Sequence, residues 1–148
     1  MTDYRIMNAQ LEALTEGIPY RIANLANASA LIFENMEGLN WAGFYLIEDG
    51  ALVLGPFQGK TACIRIALGS GVCGTAAMED RTLVVGNVHE FPGHIACDCA
   101  SNSEIVVPLH KEGRVVGVLD IDSPVFERFN NEDKEGLEEF AKILERAI

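Results

Sequence analysis

WAGFYLIEDGALVLGPF, residues 41–57, holds two apolar runs separated by Glu48-Asp49-Gly50. Aromatic and β-favouring side chains suit a pleated strand, and Asp-Gly between two such runs supplies the positive φ angles of a tight hairpin turn. The stretch therefore predicts a β-hairpin. Alternation sends Trp41, Gly43 and Tyr45 to one face and Ala42, Phe44 and Leu46 to the other. Working outward, residues 104–109 and 114–122 predict a second hairpin that turns through Lys111-Glu112-Gly113. On its last strand, period two puts Val118, Asp120 and Asp122 on one face and Leu119 and Ile121 on the other. Short strands are expected around residues 63–66 and 82–85, with a Gly-rich turn opening a short helix near Gly71. After a short amphipathic opening, Ile22, Leu25, Ala26, Ser29, Ile32 and Phe33 recur at helical spacing between Pro19 and Gly38. Leu137, Phe140, Ala141, Leu144 and Ile148 line one face of a closing helix, with Asn131 expected as its cap and Glu132 and Asp133 in its first turn. The expectation is an α+β fold: one domain over residues 1–148, with a central antiparallel sheet flanked by N- and C-terminal helices.

Charge narrows the partners. The chain has 22 acidic against 11 Lys and Arg residues, a formal net charge of -11. Such a surface repels polyphosphate and anionic membranes, and no basic stripe offsets it, so neither nucleic acid nor a membrane is expected as a partner. No apolar run reaches bilayer length, and the start, MTDYRIMNAQLEAL, carries Asp3, Arg5 and Glu12 where a signal peptide would be apolar. The expectation is a soluble, cytoplasmic protein. GSGVCG, residues 69–74, lacks the GxGxxG spacing, which removes dinucleotide binding on that motif.

Reactive groups crowd one stretch, HEFPGHIACDCASNSEIVVPL at residues 89–109. With Cys63 and Cys73, its Cys97 and Cys99 complete the four cysteines, which admit three readings in a reducing compartment. His94, Cys97 and Cys99 with Cys63 or Cys73 can be set out as a zinc site, but the spacing is not a usual zinc pattern. Buried, inert thiols suit Cys63 and Cys73 better than Cys97 and Cys99. Redox chemistry needs an accessible thiolate and a second cysteine able to reach it. The acids are also open to two readings. Asp120 and Asp122 either end a strand at a solvated rim or share a desolvated pocket in which one stays protonated and donates a proton. Glu104, at the entrance of its strand, has the same choice. Trp41 and Tyr45 form one aromatic wall, either core or a seat for a thioether-like group.

The runs NWAGFYL, LGPFQGKTACIRI, GVCGTA, VHEFPGHIACD, SNSEIVVPL and GVLDIDS, in this order, resemble the free methionine-(R)-sulfoxide reductases of the GAF fold. The likeness covers residues 40–129. It implies thiol-dependent reduction of free methionine (R)-sulfoxide through a cysteine sulfenic acid and a disulfide, as part of the defence against oxidative stress. By motif, Cys97 matches the nucleophile and Cys63 the resolving cysteine, while Cys73 is auxiliary or takes part in disulfide exchange. Trp41, Tyr45, Glu104, Asp120 and Asp122 match the substrate-binding residues, with backbone N–H groups near Ile95 and Ala96 for the substrate carboxylate. Cys99 departs from the family pattern, in which a small residue follows the aspartate. The resemblance further implies no bound cofactor or metal, thioredoxin as external reductant, and a homodimer. Two rivals remain: a non-enzymatic GAF sensor of a small ligand, and a zinc-binding structural module.

Overall fold

Two hairpins with the same turn set the frame of the computed structural model, which describes residues 1–94 and 100–148. Strands β1 (Trp41–Glu48) and β2 (Ala51–Gly59) meet at Asp49 and Gly50, whose φ angles of 50° and 78° are the positive pair that the Asp-Gly sequence predicts. Four elements follow: β3 (Arg65–Ala67), α3 (Gly71–Glu79), β4 (Leu83–Val85) and a 3-10 turn (Val88–Glu90). Then β5 (Ser103–Lys111) and β6 (Arg114–Ser123) repeat the hairpin design at Glu112 and Gly113. The helices α1 (Tyr4–Thr15) and α2 (Arg21–Asn35) precede the sheet, and α4 (Asn131–Glu145) follows it. All neighbouring strands are antiparallel, in the order β3-β2-β1-β6-β5-β4. Pairing of β1 with β6 joins the first hairpin to the last.

Alternation divides the core between two layers. Ala42, Phe44, Leu46, Ile105, Val107, Leu109, Leu119 and Ile121 face α1, α2 and α4, where Met7, Leu11, Leu25, Ile32, Leu137, Phe140 and Leu144 complete one apolar cluster. Trp41, Tyr45, Val106 and Val118 face the other way, against Val72, Cys73, Ala76 and Ala77 of α3. Both faces are covered, so both β1 faces are buried.

Local differences from the sequence expectation have physical reasons. The opening segment is a full helix, α1, capped by Asp3, whose carboxylate accepts from the Ile6 N–H at 3.1 Å. Tyr4 ties it to α4 by donating to Asp133 at 2.6 Å, and Gly136 is required there because a Cβ would meet the Tyr4 ring at 2.2 Å. The α4 cap is Asn130, not Asn131: its side chain accepts from the Asp133 N–H while Asp133 accepts from the Asn130 N–H. In α2 the buried stripe runs through Leu25, Ala28, Ser29, Leu31 and Ile32, whereas Ile22 is 64% exposed. The strand expected over residues 63–66 is shifted to β3, leaving Cys63 in the loop before it.

His110, at the end of β5, fastens α3 to α4. Its ring donates from Nε2 to Asp80, just past α3, at 2.5 Å and from Nδ1 to Glu145 of α4 at 2.9 Å. Burial disfavours the charged ring, but the bonds and charges of Asp80 and Glu145 outweigh it, so the pKa is raised. The pairs are complete below the unfolded value of about 6.5 and fade as pH rises through the higher folded value. His110→Gln should therefore lower thermal stability at pH 6, by on the order of 0.5 kcal/mol because a ring 38% exposed is screened by solvent. Melting curves of the two proteins should converge as the pH is raised to about 9.

Candidate active site

The α3 face of the sheet carries a cleft of about 550 Å³, its open mouth included. One wall is aromatic. Trp41 stacks on Tyr45 with centroids 5.9 Å apart, and on Phe57 from β2 at 5.1 Å. A register shift between Gly43 and Tyr45 brings Phe57 opposite Gly43, where a Cβ would lie 2.3 Å from that of Phe57. Glycine at 43 thus lets the third ring close against Trp41. The wall also holds the following loop: the Trp41 indole donates to the Lys60 carbonyl at 3.0 Å, and the Tyr45 hydroxyl to the Cys63 carbonyl at 2.9 Å.

The opposite side is acidic. Sheet register sets Glu104 of β5 directly across from Asp122 of β6, with Asp120 one pleat along on the same face. All three are buried, which excludes the solvated-rim reading. Cys73, on the first turn of α3, donates its thiol to Glu104 Oε2 at 3.8 Å. Asp120 lies beside Glu104, Cys73 and Asp122, yet among the described residues its Oδ1, sealed from solvent, accepts no hydrogen bond. Among the described residues that line the cleft there is no Lys or Arg. The charge therefore falls back on protonation.

Burial, followed by the charges of Asp120 and Asp122, pushes Glu104 well above the usual carboxyl range. Burial likewise raises Asp120, against bonds from Glu104, Cys73 and Asp122 that pull it down. The Cys73 thiol is driven well above its ordinary value by burial and by Asp120, Glu104 and Asp122, and the Tyr45 phenol is raised by burial and the same acids. This arrangement favours keeping a proton on the buried carboxyl cluster, against an aromatic wall. It can bind a cation and deliver a proton.

Trp41, Tyr45, Cys73, Glu104, Asp120 and Asp122 all line this cleft. Cys63 sits beside it and is disulfide-bonded, whereas Cys73 is a free thiol. Cys97, Cys99, Ile95 and Ala96 lie outside the described residues. His94, set out above as a zinc ligand, lines the cleft too, but the described donors close enough to share one ion are Cys73, Glu104 and Asp120. Sequence reasoning did not find Phe57, Thr61, Ala62, Ser70 or Ser101. Only the Gly43–Phe57 pairing, a consequence of the register shift, could have pointed to Phe57.

Comparison with known proteins agrees with this geometry. Residues 22–148 match the GAF domain family. The chain is 53% identical over 145 residues to the free methionine-R-sulfoxide reductase of Escherichia coli K12, covering 98% of this chain and 88% of that one. The structure of fRMsr of Staphylococcus aureus in complex with substrate is 51% identical with a TM-score of 0.95, covering 99% and 96% of the two chains. The free methionine-R-sulfoxide reductase of Neisseria meningitidis, also in complex with its substrate, is 47% identical with a TM-score of 0.94, over 97% and 87%. With buried acids, aromatic wall and sheet order in register with such likeness over nearly its full length, the chain belongs to the free methionine-R-sulfoxide reductase family of GAF domains.

Proposed function

We propose that this protein reduces free L-methionine (R)-sulfoxide to L-methionine with Cys97 as nucleophile. One observation carries the reading: buried Glu104 and Asp120, with Asp122 beside them, converge on a cleft lined by no described cation and faced by Trp41 and Tyr45. A free amino acid suits that cleft. Its ammonium neutralises the acids, its S-methyl packs on the rings, and its carboxylate is met by backbone N–H groups at Ile95 and Ala96, with the first turn of α3 opening into the same cleft.

The thiolate of Cys97 attacks the sulfoxide sulfur while a protonated carboxyl gives its hydrogen to the oxygen, which leaves the substrate as methionine and the cysteine as a sulfenic acid. Cys63 then condenses with the sulfenic acid, releasing water and forming a disulfide. A thioredoxin-type dithiol resets the chain by exchange. The disulfide-bonded state of Cys63 supports its resolving role. Cys73 is a poor candidate for exchange, because its free thiol is buried among acids that disfavour the thiolate. Exposed Ile18 and Tyr20 between α1 and α2, with Ile22 in the first turn of α2, offer an apolar surface for a homodimer. A cytoplasmic location fits the chemistry, since reducing dithiols operate there. No helix among the described residues is long and apolar enough to cross a membrane.

The direct assay gives the reduced protein, with thioredoxin recycling, each diastereomer of free methionine sulfoxide and a peptide-bound form. Methionine should form only from the free R diastereomer. A protein that binds the sulfoxide and returns it unchanged would be the sensor of the rival reading.

A further inference from the structure

We propose that the acid end of the cleft is also a binding site for a borderline-soft divalent cation such as Zn2+, held by Cys73, Glu104 and Asp120, which shuts the enzyme by occupying the place of the substrate ammonium. One donor atom from each of the three lies within 4.8 Å of the other two, and all three residues are buried. Cys73 Sγ and Glu104 Oε2 are 3.8 Å apart. In a tetrahedral zinc site, bonds of about 2.3 Å to sulfur and about 2.0 Å to oxygen place the two ligand atoms about 3.5 Å apart. For this pair only a small closure separates the two geometries.

A second observation points independently to a ligand. Asp120 is 6% exposed, and its Oδ1, sealed from solvent, accepts no hydrogen bond among the described residues, a costly condition for a buried polar atom unless a cation completes it. An ammonium satisfies the oxygens but gains little from the sulfur. A borderline-soft metal gains from both, so the thiol beside the acids marks the pocket for metal as well as for substrate. Entry of the ion displaces the thiol proton, and any proton on the two carboxyl groups, to bulk water, with no change of oxidation state. Water completes the shell.

The inhibitory consequence rests on the proposed reductase activity, whereas the binding does not, and the experiment separates them. A reduced chain carrying Cys63→Ser, Cys97→Ser and Cys99→Ser keeps Cys73 as its single thiol. Titrated with Co2+ in metal-free buffer, it should develop a thiolate-to-cobalt band in the near ultraviolet that saturates at one equivalent and is displaced by Zn2+. Adding Cys73→Ser should abolish the band, and adding Glu104→Gln should weaken affinity by about tenfold or more. If that chain does not fold, reduced wild type compared with Cys73→Ser should show the loss of one cobalt-bound thiolate. No band, or a band that survives Cys73→Ser, overturns the site. In steady state, Zn2+ should raise the KM of wild type for methionine (R)-sulfoxide and leave kcat unchanged, an effect reversed by chelator. Inhibition that excess sulfoxide cannot relieve overturns the shared position. A chain that gives the band yet reduces no sulfoxide leaves the metal site standing and removes the reductase reading instead.

Discussion

Cys97→Ser abolishes turnover, lowering kcat by about 10⁴-fold or more, as expected when a covalent nucleophile is removed from an otherwise intact site. The hydroxyl of serine is far less nucleophilic than a thiolate and cannot carry the oxygen away as a sulfenic acid. Cys63→Ser behaves differently. It should release one methionine per chain in a rapid first phase and then stall, because attack precedes the need for a resolving thiol. Rapid-quench counting of methionine against enzyme separates the two variants. A burst from Cys97→Ser and none from Cys63→Ser would exchange the roles assigned to them.

Glu104→Gln should lower kcat/KM by about 10²- to 10³-fold, the scale of a general acid, while making the protein more stable above neutral pH. The two effects share one cause. The folded pKa of Glu104 lies well above its unfolded value, chiefly through burial and then through Asp120 and Asp122. A carboxyl with a raised folded pKa costs nothing below its unfolded pKa of about 4.3 and destabilises increasingly as pH climbs toward the folded value. Wild-type melting temperature should therefore fall as pH rises from about 5 to 8, and the amide, which never ionises, should flatten that fall. Each kcal/mol recovered raises the midpoint by about 2–4 °C in a chain of this size. The activity of the wild type should decline as pH rises through the folded value of Glu104, as the proton donor empties. A Glu104→Gln protein with lower melting temperature at pH 8 and unaltered kcat/KM would contradict both halves. The site thus trades stability for a proton held where the sulfoxide oxygen leaves.

Much of this was legible along single strands. Asp49-Gly50 and Glu112-Gly113 announced both hairpins, and period two grouped Trp41 with Tyr45 and Asp120 with Asp122 on what proved to be one sheet face. Alternation along one strand carries no information about its neighbours. The Glu104–Asp122 pairing and the covering of this face by α3 arise from register and long-range packing, which is why rim and pocket stayed equally open for the acids. Ile22 and Phe33 fit helical spacing as well as the buried positions do, because spacing identifies a stripe and not which stripe finds a partner. In α1 the apolar stripe is thin in the sequence, because Asn8 and Thr15 share the buried face with Met7 and Leu11. Asn130 and Asn131 are both good caps by type, and only the reciprocal bond with Asp133 chooses between them. The cysteine roles came from the motifs and not from residue chemistry, which left metal, burial and redox all open.

The roles of Cys97 and Cys63 are read out together by a single turnover of fully reduced wild type with free methionine (R)-sulfoxide and no external dithiol, followed by counting methionine and by mass mapping of the cysteines. The expected result is one methionine per chain, the loss of two thiols, and a peptide pair linking Cys97 to Cys63 while Cys73 stays free. Methionine formed with all thiols intact, or a disulfide that omits Cys97, would contradict it.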